Sequence, residues 1–142
     1  MKKENAMYHV YPVTIRETHI DSLGHVNNAV YLTLFEEARW EWITAGGYGL
    51  AQIKQYRQSP VILDVSAKFQ REVHLRESVV IESRLLSYEG KIAKLQQDMI
   101  RTEESGGKTV CCAALFTMGF FDLESRKLIA PTPLWKKALG IQ

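Results

Sequence analysis

Asp21, His25, Asn27 and Asn28 place a carboxylate, an imidazole and two amides within eight positions, inside the stretch RETHIDSLGHVNNAVYLTLFEEAR that runs from Arg16 to Arg39. A carboxylate can deprotonate water or attack an acyl carbon directly, and an imidazole can orient or polarise near neutral pH. The set therefore suits acid–base or nucleophilic work. Each member also has a plainer reading. Asp21 can close an Asx-turn, and His25 can hold the loop by bonding to backbone carbonyls. Asn27 reads as a helix cap before it reads as chemistry, and Tyr31 and Phe35 read as core before substrate contacts.

Such a loop needs a sharp turn and then a rigid element, and both are written next to it. Leu23-Gly24 supplies the turn. From about Asn28 to Ala45 no proline or glycine interrupts the chain, and Tyr31, Leu34, Phe35, Ala38, Trp42 and Ala45 recur at three- and four-residue steps as one buried face. Asn27 or Asn28 is the natural N-cap and Gly46-Gly47 the natural stop. The first N–H groups of a helix have no intrahelical acceptor and carry the positive end of its dipole. The N–H of Asn28, helped by that of Ala29, is thus a place where negative charge would be stabilised. Glu36 and Arg39 have the i,i+3 spacing of an ion pair. The other flank, with Val30, Leu32, Trp40 and Ile43, is also apolar, which predicts a partner chain: a homodimer at least, or a homotetramer.

The remaining elements read as a sheet for this helix to cover. Tyr8 to Glu17 is strand-like, with Pro12 marking an edge or a bulge. Gly46 to Pro60 reads as a flexible cover with a short helix around Tyr48, Leu50 and Ile53. Val61–Gln70, Ser78–Tyr88, Ile92–Arg101 and Lys108–Asp122 are strands, with turns at Glu89-Gly90 and Ser105-Gly106-Gly107. Pro131 to Gln142 closes as a short helix. The class is α+β: one long central helix against a curved five-stranded antiparallel sheet, in a single domain spanning 1–142.

A formal net charge of +2 is too mild to argue for nucleic acid. Cys111 and Cys112 are adjacent and point to opposite faces of a strand, a poor disulfide that suits a reducing compartment. Met1 to Met7 has no apolar core and no run is long enough for a bilayer, so the expectation is a cytoplasmic protein without membrane contact. His9, His19 and His74 lack ligand spacing, and no metal or other cofactor is expected.

Arg16, Asp21, Gly24-His25-Val26-Asn27-Asn28, Tyr31-Leu32 and Glu36-x-Ala38-Arg39 stand in the order and spacing of a known signature. With Phe69 leading to Glu77-Ser78 and the ending Ala113 to Lys127, the chain resembles the hotdog-fold acyl-CoA thioesterases of the 4-hydroxybenzoyl-CoA type over nearly its whole length. The resemblance implies hydrolysis of an acyl-CoA to free acid and coenzyme A without metal or redox cofactor. It makes Asp21 the general base or nucleophile, with His25 and Asn28 in the catalytic set and Gly24, Val26, Asn27, Tyr31 and Phe69 about the substrate. Leu23, Val26 and the partner chain are then expected to strip water from Asp21. Arg71, Arg76, Arg84, Lys91, Lys94, Arg101 and Arg126 are available for the coenzyme phosphates, none singled out.

The chain also departs from that pattern. Glu72 and Arg76-Glu77 replace a common proline and Gly-Asp turn, and Asn28 replaces an aromatic residue or histidine. Plant-type acyl-carrier-protein thioesterases resemble the same loop but carry asparagine where Leu23 stands. The alternatives are an acyl-carrier-protein thioesterase, a hydratase or dehydratase of related fold, and a non-catalytic acyl-CoA binding or sensing protein.

Overall fold

A computed structural model describes residues 7–141. The strands are β1 (Tyr8–Thr14), β2 (Gln58–Phe69), β3 (Ser78–Glu89), β4 (Ile92–Thr102), β5 (Lys108–Asp122) and β6 (Lys127–Ile129). The helices are α1 (Asn28–Ala45), α2 (Leu50–Tyr56) and α3 (Pro133–Ala138), and a short 3-10 turn covers Glu17–His19. All strand pairs are antiparallel, in the order β1-β3-β4-β5-β2, with β6 beside β5. The sheet thus has six strands where the sequence led us to expect five. The sixth is a three-residue strand, too short for periodicity to reveal. It is turned back by Arg126 at φ 62° and by a Ser125 N–H that donates to Asp122 Oδ2 at 2.8 Å.

Pro12 lies on the edge strand β1, where its missing N–H costs no ladder bond. The opposite edge is β2, twelve residues long and starting three residues before its expected position. Ile62, Leu63, Val65 and Phe69 on this strand are exposed.

Helix α1 keeps the bounds read from the sequence, with Asn27 as N-cap and Gly46 as C-cap. Its buried residues are Tyr31, Leu34, Phe35, Ala38, Trp42 and Ile43, so Ile43 is covered and Ala45 is not. Gly46 is pressed against α3: a Cβ there would lie 2.8 Å from the Cα of Ala138. Backbone cannot swing aside as a side-chain end can. Gly46→Ala should therefore destabilise the fold by about 1–3 kcal/mol, the usual range for overpacking, read as a lowered midpoint in urea with unchanged slope.

The segment between α1 and β2 is not the loose cover expected. Tyr48 is buried, its hydroxyl donates to the Gln58 carbonyl at 2.9 Å, and its ring packs edge-on against Phe120 and Trp135. An aromatic residue with its polar tip satisfied anchors the segment, a long-range effect invisible in local composition.

Arg39 also departs from expectation. Gln97 is fully buried at the centre of the sheet, and its amide donates to the Phe35 carbonyl and to Ser83 Oγ. Its remaining oxygen needs a donor, and Arg39 supplies one at 3.0 Å, with the guanidinium 4.4 Å above the Phe116 ring. Burial pulls Arg39 down to about 10. Glu36, the expected ion-pair partner, instead accepts from Trp40 Nε1.

At the cysteines the strand bulges. Met99 pairs with Cys112 and Ile100 with Val110, leaving Cys111 as the extra residue. Both thiols are buried, and burial pushes Cys112 up to about 12.

Candidate active site

The chain reaches α1 through a turn that its own backbone closes. Asp21 N–H donates to the His25 carbonyl and Gly24 N–H to the Asp21 carbonyl, both at 3.0 Å, with Gly24 at φ 91°, a region that favours glycine. Leu23 N–H donates to Asp21 Oδ1 at 2.9 Å, which is an Asx-turn. Isolated bridges pair Ile20 with Val26 and His25 with His74, and Val26 N–H donates to the Val73 carbonyl. The loop that carries His25 is thereby stitched to the segment after β2.

A cavity of about 170 Å³ opens at the start of α1. It gathers His25, Val26, Asn28, Tyr31 and Phe69, five of the eight residues singled out in the sequence. Gln70, Arg71 and Glu72 complete its wall. The other three have backbone work instead: Asp21 and Gly24 form the turn, and Asn27 Oδ1 caps the helix by accepting from Ala29 N–H at 2.9 Å. Leu23 is 76% exposed in the single chain, so within one chain it does not shield Asp21.

The two amides at the helix opening are thus unequal. That of Ala29 is taken by the cap, whereas the N–H of Asn28 meets no acceptor among the described residues. Tyr31 packs its ring 5.4 Å from that of Phe69, and burial pushes its hydroxyl up to about 12. The phenol is a packing group here rather than an acid.

Sequence reasoning passed over Glu72. The Gln70 and Arg71 N–H groups both donate to the Cys111 carbonyl, and this register at the end of β2 turns Glu72 toward the loop. No local pattern signals it; only the pairing of two distant strands brings it there. Glu72 Oε2 lies 3.6 Å from His25 Nε2, and Oε1 lies 3.4 Å from His74 Nε2. Arg101 donates to the Glu72 carbonyl at 2.6 Å and pairs with Glu77. No group of three His, Cys, Asp or Glu side chains among the described residues has metal-ligand geometry.

Of the cations proposed for coenzyme phosphates, Arg76 pairs with Glu17, Arg84 with Asp98 and Arg101 with Glu77. Arg71 forms no ion pair among the described residues; it lines the cavity at the helix opening and an adjoining polar groove with Lys108 and Thr109. A larger cavity, about 460 Å³, runs beside α1, where Leu32 and Arg39 face Ile62 and Val65 of β2 over Phe116.

A long helix against a curled antiparallel sheet is the architecture of the hotdog thioesterases. The chain belongs to the thioesterase-like superfamily, whose pattern matches residues 13–139. It is 31% identical over 127 residues to the long-chain acyl-CoA thioesterase FadM of Escherichia coli K12, covering 83% of this chain and 86% of that one. The crystal structure of the probable thioesterase YbaW from Escherichia coli superposes with a TM-score of 0.79 at 26% identity, over 94% of this chain and 99% of that one. A hypothetical protein of Staphylococcus aureus in complex with CoA shares the fold, with a TM-score of 0.84 at 16% identity over 98% and 85% of the two chains.

Proposed function

We propose that this chain hydrolyses an acyl-CoA to free acid and coenzyme A, with Asp21 as general base or nucleophile and the Asn28 N–H as the oxyanion donor. One observation carries the reading. Asn28, whose N–H meets no acceptor among the described residues, lines a cavity with His25, while the neighbouring amide is already bonded. Hydrolysis of a thioester passes through a tetrahedral oxyanion, and a fixed N–H aimed at it stabilises that charge without reorganisation.

The parts around it have natural roles. Arg71 lies between the cavity and the polar groove and suits the coenzyme phosphates. The larger cavity between α1 and β2 suits the acyl chain. Its β2 wall carries the exposed apolar side chains of an edge strand, which supports a homo-oligomer joined along that edge. Within this reading 1–142 acts as a single domain, in the cytoplasm, without nucleic acid as a partner. The name of the Escherichia coli relative supports coenzyme A over a carrier protein as the thiol.

The test is thiol release from acyl-CoAs of graded length and from a 4-hydroxybenzoyl thioester. Turnover of at least one, with kcat/KM above about 10⁴ M⁻¹s⁻¹, the lower end for ordinary enzymes, is the expected result. Tight binding without release of thiol would leave the sensing protein in its place.

A further inference from the structure

Glu72 is the only carboxylate among the residues that line the cavity at the helix opening, since Asp21 turns Oδ1 back onto the Leu23 amide. Its position is built rather than incidental. Arg101 holds the Glu72 carbonyl, a backbone bridge sets His25 beside His74, and the two carboxylate oxygens face one imidazole each. His25 directs Nε2 toward Glu72, and Nδ1 has no partner among the described residues.

We propose that Glu72 is a positioning residue for thioester hydrolysis, acting through His25; the proposal rests on the thioesterase reading above. With Nε2–H leaning on the carboxylate, the imidazole is held in the tautomer that leaves Nδ1 a free lone pair, and the cation formed when Nδ1 takes a proton has a counter-charge. The step balances as follows. Asp21 attacks the thioester carbonyl carbon through a carboxylate oxygen, the oxyanion is held by the Asn28 N–H, and on collapse the C–S bond breaks and the coenzyme leaves as thiolate, giving an acyl anhydride on Asp21. Water then bonds through oxygen to the acyl carbon while one of its protons passes to His25 Nδ1. On the second collapse the anhydride C–O bond breaks, Asp21 leaves as carboxylate, and Nδ1 gives its proton to the thiolate. The products are the free acid and the coenzyme thiol, with both side chains regenerated. The present separation of 3.6 Å is of the kind that shortens when substrate excludes water from a site.

The experiment is a double-mutant cycle on kcat with the acyl-CoA turned over fastest by the wild type. Glu72→Gln should lower kcat about 10- to 100-fold with KM within twofold, and the double variant His25→Gln/Glu72→Gln should be no slower than His25→Gln alone, because the carboxylate then has nothing to position. Glu72→Gln at wild-type rate, a loss carried by KM alone, or an undiminished loss in the His25→Gln background each overturns the proposal. Glu72→Asp guards against a folding artefact: partial rescue of kcat is expected, and none at an unchanged melting temperature counts against it. Absence of thiol release by the wild type on the whole panel overturns the thioesterase reading itself and the role of Glu72 with it, which separates the two failures.

Discussion

Asn28→Pro should fold and lose about 10²- to 10³-fold in kcat, the usual consequence of removing one oxyanion donor. The substitution works because of where residue 28 sits. It is the first residue of α1, directly after the N-cap, and proline is favoured at that position, its missing N–H being one that no helix carbonyl would accept. Proline also restricts the residue before it to extended backbone, and Asn27 already has φ −68° and ψ 143°. The cap bond from Ala29 N–H to Asn27 Oδ1 is untouched. Asn28→Pro thus removes the backbone N–H together with the side-chain amide and leaves the scaffold in place. Asn28→Ala is the companion: it removes the side chain, keeps the N–H, and should stay within a few-fold of wild type. Measured by thiol release alongside thermal melts, a fall in both variants would assign the effect to the amide side chain, and a fall in neither would remove the helix opening from the mechanism.

The sequence carried this much because α1 is specified locally. Its cap, its uninterrupted apolar steps and its terminal glycine all lie within twenty residues, so the helix bounds and the exposed amide follow from near neighbours. What was misread depends on distant pairing. Tyr48 looked like loop until Phe120 and Trp135 closed around it. Arg39 had an obvious partner one helical turn away, yet the buried oxygen of Gln97, 58 positions on, claims it. Glu72 was visible only as a departure from a familiar pattern, and its place beside His25 follows from the register of β2 on β5. Propensity reads elements; it does not read which polar group a sheet will leave unsatisfied.

Asp21→Asn is expected to reduce kcat by about 10²- to 10⁴-fold, the range for loss of a positioned base, while the melting temperature stays at its wild-type value. The reasoning turns on the two jobs the same carboxylate can hold. In the turn, Oδ1 accepts from Leu23 N–H, and an asparagine oxygen can accept that bond equally well. In catalysis the group must take a proton or attack a carbonyl, and a neutral amide does neither. Asparagine therefore keeps the loop and deletes the chemistry. Asp21→Ala removes both, and its lower stability, by about 0.5–1.5 kcal/mol for one hydrogen bond, measures the turn alone. Full activity in Asp21→Asn would make residue 21 a loop-former and nothing more; the carboxylate serving the cavity would then be Glu72, and the loss expected here would appear in its variants instead.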